Sequence, residues 1–194
     1  MNAIILAGGK NERMAKEKAF LKLEGKSIIE IVIEKVQPLF EEVIVVTNFP
    51  QKYKHLKVRI VKDTIPHCGP LGGLYSGLKE SKSHYNFVTG CDMPFLKILL
   101  IKHLIDNCRG NDITIPKFDG FLEPLCAIYS KNCLKAIKEE LNENNFAIRS
   151  FFNKVRVKYI PKKDLLRFDL DLISFFNINT PKDIAKAEKL FKGK

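Results

Sequence analysis

Long apolar runs, paired cysteines and low-complexity tracts are all missing from this chain, and each absence narrows what it can be. No uninterrupted apolar stretch approaches the ~18 residues that a membrane span needs, and Met1-Asn2-Ala3-Ile4 lacks the basic and apolar regions of a secretory leader. A soluble, cytoplasmic protein is therefore expected. Cys68, Cys91, Cys108, Cys126 and Cys133 are odd in number, and no two stand in a Cys-x-x-Cys spacing. That argues against a disulfide framework and a zinc site, and for reduced, mostly small core residues. His55, His67, His84 and His103 have no mutual spacing that suggests a metal site and are read as surface or satisfied residues. No Ser-His-Asp or Cys-His arrangement is legible.

What is present fits one core. Hydrophobic residues make up 45% of 194, and a chain of ~150 residues already buries most of its surface. Apolar, β-branched runs alternate with helix-period segments, the pattern of βαβ units and a parallel sheet. It predicts strands over Ala3 to Leu6, Val43 to Thr47, Val58 to Val61 and Asn86 to Gly90. Helices are expected after Ser27, whose Glu30 completes a capping box, from Gly72 to Ser81 through a glycine loop, and from Phe95 to Asn107. Beyond Pro116 the order loosens to a turn at Asp119-Gly120, strands around Leu125 to Tyr129, Val155 to Ile160 and Phe175 to Ile178, and helices near Asn132 to Leu141 and Ala147 to Asn153. A last helix runs to Leu190, capped by Thr180 with Pro181 at its first position. No linker interrupts the series, so a single doubly wound α/β domain over residues 1–194 is expected, its mostly parallel central sheet flanked by helices.

In such sheets ligands bind beyond the carboxyl ends of the strands, where connections diverge. Gly8, Asn48, Asp63 and Asp92 all fall at predicted strand ends. Gly8-Gly9 after a buried strand allows backbone N–H groups to approach an anion, although a Gly-Gly turn is also ordinary loop punctuation. It is not a P-loop, since Phe20 stands where that motif before Gly25-Lys26-Ser27 needs glycine, and no dinucleotide Gly-x-Gly-x-x-Gly follows the first strand. Arg13 and Lys18 supply a guanidinium fork and a point charge suited to a triphosphate. Asp92, in Gly90-Cys91-Asp92-Met93-Pro94, suits Mg²⁺, which commonly takes one or two carboxylates and completes its octahedron with waters and phosphates. The alternative for Asp92 is a helix N-cap. Gly69-Pro70-Leu71-Gly72-Gly73 brings backbone groups against a flat base, or forms a plain loop-to-helix junction.

Leu6-Ala7-Gly8-Gly9-Lys10 with Arg13-Met14 and Lys18, Gly69-Pro70-Leu71-Gly72-Gly73, Asp92-Met93-Pro94, Glu123-Pro124-Leu125 and Asn177-Ile178-Asn179-Thr180-Pro181 together resemble the molybdenum cofactor guanylyltransferase family, from residue 3 to about 190. Ala15 and Glu17 stand where that family usually has glycine and aspartate. The resemblance implies a Rossmann-like nucleotidyltransferase fold and a reaction in which the terminal phosphate of Mo-molybdopterin attacks the α-phosphorus of GTP, giving a guanine dinucleotide cofactor and pyrophosphate. It implies that Leu6, Ala7 and Gly8 contact the nucleotide with Gly9 completing the cradle, that Arg13 and Lys18 hold the phosphates, and that Asn48 and Asp63 meet the base and ribose. It further implies that Gly69, Pro70, Leu71, Gly72 and Gly73 lie against guanine and that Asp92 binds Mg²⁺. Arg13, Lys18 and Asp92 are the expected catalytic groups.

Other readings stay open on the residues alone. One is a nucleotidyltransferase using CTP on molybdopterin, or a nucleotide on a sugar or alcohol phosphate. Another is a non-catalytic GTP and molybdopterin carrier. The net charge of +11 and a pI near 9.4 fit anionic partners, but no nucleic-acid motif accompanies them. The expected partners are GTP, Mo-molybdopterin and, transiently, other molybdenum cofactor proteins, with neither nucleic acid nor membrane.

Overall fold

The computed structural model of the chain describes residues 1–8, 19–65 and 67–192. Its strands are β1 (Asn2–Leu6), the short pair β2 (Lys22–Leu23) and β3 (Lys26–Ser27), β4 (Val43–Thr47), β5 (Arg59–Lys62), β6 (Tyr85–Gly90), β7 (Ile113–Phe118), β8 (Phe121–Leu122), β9 (Cys126–Ser130) and β10 (Val157–Pro161). The helices are α1 (Ile28–Val36), α2 (Gly69–Glu80), α3 (Ile98–Asp106), α4 (Cys133–Asn142), the short α5 (Lys162–Leu165) and α6 (Pro181–Lys192). Among the described residues no helix is long and apolar enough to cross a membrane.

Every residue of β1 and β4 is buried, as expected of parallel strands covered on both faces. Period-2 alternation divides them between two cores. Ala3, Ile5, Val43 and Val45 face Val32 and Val36 of α1 and Leu100, Ile101 and Leu104 of α3. Ile4, Leu6, Ile44 and Val46 face Leu71, Leu74 and Leu78 of α2 and Ile137 of α4. In the eight-stranded sheet the order is β10-β7-β9-β6-β1-β4-β5, with β8 paired to β7. β1 is parallel to both β4 and β6, and β9 runs antiparallel to both neighbours. The chain leaves β1 toward β4 and β5, then returns to β6 on the other side of β1, and connections diverge there.

Local chemistry explains where elements begin. The Glu30 carboxylate accepts hydrogen bonds from the Ser27 N–H (2.8 Å) and hydroxyl (2.6 Å), fixing the start of α1 as expected. Asp183 accepts from the N–H groups of Asn179 (3.0 Å) and Thr180 (2.8 Å) and from the Thr180 hydroxyl (2.9 Å), while the Asp183 N–H donates back to Thr180 Oγ1. This closes the first turn of α6. A third cluster, in which Leu23, Ile28, Phe95, Ile178 and Ala187 meet, seats α6 against the β2–β3 pair.

The C-terminal half departs from expectation in three places. Ile113–Phe118 forms β7 although Pro116 argues against a strand. Pairing of β7 with β9 stops at Thr114 and β8 takes over from Lys117, so Pro116 stands at the change of partner, where its carbonyl accepts from the Glu123 N–H (3.2 Å). The helix expected from Ala147 to Asn153 is a series of tight turns with a 3₁₀ segment at Phe152–Lys154. Those turns place the successive rings of Phe151 and Phe152 in the core, 5.2 Å apart. The strand expected from Phe175 to Ile178 is absent. The buried Asp169 carboxylate accepts from the N–H groups of Ile173 (3.1 Å) and Ser174 (2.7 Å) and winds Ile173–Phe175 into a 3₁₀ turn, the local competition by which Asp displaces regular pairing.

Asp112, just before β7, ties the margin of the sheet together. It is 7% exposed and accepts from Asn132 Nδ2 (2.8 Å), the Arg156 N–H (3.0 Å) and Arg156 Nε (3.3 Å). Burial alone raises this carboxyl, but the Asn132 and Arg156 hydrogen bonds and the Arg156 charge outweigh it and hold the pKa at about 2. Its folded value lies below the ~3.9 of an unfolded aspartate, so its stabilisation is complete above pH ~4 and is lost as pH falls toward 2. Asp112→Ala should cost about 1–2 kcal/mol at neutral pH, because buried donors lose their acceptor. The difference from wild type in chemical denaturation should shrink steadily as pH falls from ~4 through ~2; a gap that stays constant over that range would refute this role.

Candidate active site

The site assembles at the carboxyl rim where the strand order reverses. β1 ends at Leu6, and the Ala7 N–H continues its pairing to the Val46 carbonyl (2.8 Å). Gly8 then emerges at the surface. Gly9, Arg13 and Lys18 lie outside the described residues. At the end of β4, Thr47 Oγ1 accepts from the Phe49 N–H (3.2 Å) and turns the chain at Asn48. The Asn48 Oδ1 is buried with no hydrogen-bond partner among the described residues, and its Nδ2 is 3.9 Å from where a Cβ on Gly8 would stand. Buried acceptors are rarely left unpaired, so this one calls for an explanation.

Asp63 follows β5, held by its own N–H on the Thr47 carbonyl (2.9 Å). Its Oδ1 accepts from the Ile65 N–H (3.0 Å) and the Ser76 hydroxyl of α2 (2.9 Å), which leaves Oδ2 beside Gly72 and Gly73. Burial raises its pKa, and the Ile65 and Ser76 hydrogen bonds only partly oppose this.

The glycine-rich segment is not a loop. Gly69–Glu80 is helical from Gly69 onward, with Pro70 in the first turn and Gly69 at φ +60°. The missing N–H of Pro70 costs nothing there. Gly72 is required by proximity: a Cβ on it would meet the Ile65 carbonyl oxygen at 2.5 Å. The segment therefore presses the N-terminus of α2 against the strand ends, so unpaired N–H groups and the positive end of the helix dipole face the rim.

Leu6, Gly8, Val46, Asn48, Asp63 and Gly73 line a small cleft there, together with Thr47, His67, Gly69 and Pro70. Ala7 and Leu71 instead turn their side chains into the two cores, and Gly72 lies against Ile65. The structure thus gathers Leu6, Gly8, Asn48, Asp63, Gly69, Pro70 and Gly73 around one cleft.

Asp92 stands beyond β6, on the other side of β1. The Cys91 N–H donates to the Leu6 carbonyl (3.1 Å), holding it next to the end of β1, and the Ile178 N–H donates to the Asp92 carbonyl (2.9 Å). Gly90 leaves room for the carboxylate, since a Cβ there would come within 2.5 Å of Asp92 Oδ1. Asp92 is not a helix cap, because α3 begins only at Ile98 with Lys97 before it. Its neighbour in charge is Glu123, which the sequence reading quoted within Glu-Pro-Leu but gave no role. Burial raises the Glu123 carboxyl, the Leu125 N–H opposes this, and the Asp92 charge adds to it. Among the described residues no three His, Cys, Asp or Glu side chains converge as a metal cluster. Two carboxylates are nevertheless a sufficient protein contribution for Mg²⁺, whose remaining ligands are waters and phosphates.

A phosphate-ready helix end, a small polar cleft and an acidic rim on one switch point agree with what known proteins show. The sequence profile of the MobA-like NTP transferase domain matches residues 3–158. This chain belongs to that family. A "probable molybdenum cofactor guanylyltransferase" of Natranaerobius thermophilus is 41% identical over 195 residues, covering 97% of this chain and 95% of the relative. A "molybdenum cofactor guanylyltransferase" of Desulfosudis oleivorans is 36% identical, covering 99% and 96%. The crystal structure of "molybdopterin-guanine dinucleotide biosynthesis protein A" from Archaeoglobus fulgidus superposes with a TM-score of 0.86 at 30% identity, covering all of both chains. The fold is therefore the mixed, mostly parallel α/β fold of the MobA-like nucleotidyltransferases, and the chain is a nucleotidyltransferase.

Within this family's site, His67 is exposed, as the sequence expects of a surface or satisfied residue, and it also lines the cleft, a role the sequence did not give it. No spacing rule would have found it, because its place depends on the left-handed turn at φ 69° that leads into α2. Gly72→Ala should lower stability by about 1–3 kcal/mol, since a backbone carbonyl cannot swing away from the added methyl. Gly8→Ala, whose nearest neighbour among the described residues would be 3.9 Å away, should unfold with the wild type. Equal denaturant midpoints for the two variants would contradict the close approach of α2.

Proposed function

We propose that this enzyme transfers GMP from GTP to the terminal phosphate of Mo-molybdopterin, forming molybdopterin guanine dinucleotide and pyrophosphate. The names of its relatives support the reaction class, and the observation that carries the base assignment is a pair of acceptors. Asn48 and Asp63 line one cleft, with Asn48 Oδ1 unpaired among the described residues and Asp63 Oδ2 beside Gly72 and Gly73. Guanine offers donors at N1 and at its 2-amino group, side by side on one edge. Cytosine offers only one amino donor, flanked by acceptors, so it would leave one of the two protein oxygens unpaired.

The triphosphate runs from this cleft toward the N-terminus of α2 and Gly8-Gly9. Arg13 and Lys18 grip the phosphates and neutralise the departing pyrophosphate. Asp92 would hold Mg²⁺ with Glu123 beside it, and the bound metal would neutralise charge on the transferring phosphate. An oxygen of the acceptor's phosphate bonds to the α-phosphorus as the bond to the α–β bridging oxygen breaks, and that electron pair leaves with pyrophosphate. The attacking oxygen is already anionic, so the protein supplies no general base. Its work is alignment and charge compensation. On this reading the whole chain acts as one unit in the cytoplasm, and its product passes to other molybdenum cofactor proteins by transient contact.

The test is pyrophosphate release from Mg²⁺-GTP and Mo-molybdopterin. Asp92→Ala should lower turnover at least ~100-fold with an unchanged circular dichroism spectrum. In calorimetry GTP should bind more tightly than CTP, and Asn48→Ala should weaken GTP by about tenfold, the scale of one lost hydrogen bond. Wild-type turnover in Asp92→Ala, or a preference for CTP, would overturn the proposal.

A further inference from the structure

β4 reads Val43-Ile44-Val45-Val46-Thr47, an apolar run that ends in a hydroxyl on a residue only 1% exposed. Burying a hydroxyl costs free energy unless it is hydrogen-bonded, and a valine would continue the run without that cost. Thr47 uses both of its oxygen atoms on the cleft. Oγ1 accepts from the Phe49 N–H (3.2 Å), across the turn that presents Asn48, and the carbonyl accepts from the Asp63 N–H (2.9 Å). The two residues whose acceptors meet the base are therefore both fastened to one buried neighbour. Although Thr47 borders the cleft, it has almost no surface of its own there and acts on a bound base through Asn48 and Asp63.

A second observation lies beside Thr47. Tyr53 closes the 3₁₀ segment Pro50–Tyr53 that follows the turn. It is 1% exposed, and its ring packs on Phe20 with centroids 5.0 Å apart. Its hydroxyl has no hydrogen-bond partner among the described residues. Burial raises the phenol pKa, the Cys91 thiol adds to the rise and the nearby Thr47 hydroxyl opposes it. The two hydroxyls are thus within reach of each other without being bonded. Asn48 Oδ1 and the Tyr53 hydroxyl, two buried polar atoms without partners, both neighbour Thr47, and such atoms are few enough in native proteins to call for a reason.

We propose that Thr47 is the positioning residue for guanine recognition: its hydroxyl and carbonyl set the spacing of the Asn48 and Asp63 acceptors, and the Tyr53 hydroxyl closes on Thr47 Oγ1 when the base binds. The inference rests on the guanylyl-transfer reading for the identity of the base. Two donors on one edge of a base are read only by acceptors held to within about 0.5 Å, and hydrogen bonds from the surrounding shell are what hold them. Asp63 has such support from the Ile65 N–H and the Ser76 hydroxyl on Oδ1, and from Thr47 through its backbone. For Asn48 the support is the turn that Thr47 Oγ1 fixes. That oxygen accepts one bond from Phe49 and has a lone pair left for a second, so the Tyr53 O–H can join it without opening the turn. A hydrogen bond gained only in the complex adds to affinity and leaves the stability of the free protein unchanged.

Calorimetry with Mg²⁺-GTP and with Mg²⁺-ITP, whose base lacks the 2-amino group, reads the spacing of the acceptors. The wild-type protein should prefer GTP by about tenfold, the scale of one acceptor left unpaired. In Thr47→Val that preference should collapse toward parity, and Thr47→Ser, which keeps the hydroxyl, should restore it. Tyr53→Phe should weaken GTP by about fivefold, one hydrogen bond's worth, without lowering the melting temperature, because the hydroxyl has no partner to lose in the free protein; it decides the question by itself should Thr47→Val not fold. A wild-type GTP preference in Thr47→Val, equal losses in Thr47→Val and Thr47→Ser, or unchanged GTP affinity in Tyr53→Phe would each overturn the positioning role while leaving the guanylyl-transfer reading in place. A wild-type protein that binds GTP and ITP alike would instead remove the guanine reading, and this role with it.

Discussion

β1 is paired in parallel on both sides, to β4 and to β6, and the rest of the molecule follows from that constraint. Parallel neighbours cannot be joined by a tight turn, so each connection must cross a face of the sheet, and the crossing helices are the ones that bury Ile5 and Val45 on one side and Ile4 and Val46 on the other. The same geometry points the carboxyl ends of these strands in one direction. Asn48, Asp63 and Asp92 converge there because three strands share an orientation, not because the residues are close in sequence. Packing and catalysis are thus set by one decision of topology, and a helix close enough to seal the core also delivers its N-terminal N–H groups to the nucleotide cleft.

Much of this was legible. Unbroken apolar runs such as Val43–Thr47 announced strands buried on both faces, and the polar residue after each run announced the rim. The rule has a blind spot at β9. Because β9 runs antiparallel to its neighbours, the residues that precede it reach the rim, and Glu123 joins the site from the wrong end of a strand for a rule built on residues that follow. The glycines of α2 misled in another way. The residues before Gly72 read as a glycine loop leading into the helix, but the helix begins at Gly69, and Gly72 is dictated by contact with Ile65, a partner close in sequence whose proximity only the fold reveals. Asp169 and Pro116 misled by propensity: one replaced a strand with a 3₁₀ turn, and the other sat in a strand where β8 takes over from β9 as the neighbour of β7.

The carboxylates separate into two kinds by environment alone. Asp112 is surrounded by donors and a guanidinium, which overcome its burial and keep it ionised far into acid. Asp63 is buried and Glu123 half-buried, both with less compensation, and both are pushed upward. Undercompensated carboxylates are characteristic of places where a ligand completes the electrostatics. They stand on the rim, whereas Asp112 stands at the opposite ends of β7 and β9, where nothing needs to bind and only the strands need to be held.

The margins of the sheet give the strongly basic composition a different meaning from ligand attraction. β5 and β10 are the two outermost strands, and unpaired strand edges invite other chains to add to them. β5 carries Lys62, and its Arg59 is paired with Glu80 (2.7 Å). β10 carries Lys158 and ends in Pro161, and its exposed Tyr159 is covered by the Lys117 ammonium 5.1 Å above the ring. Two copies approaching edge to edge would bring like charges together before any backbone hydrogen bond formed. Part of the positive charge therefore acts as insulation, keeping each sheet from being extended by its neighbour at the concentrations of a crowded cell.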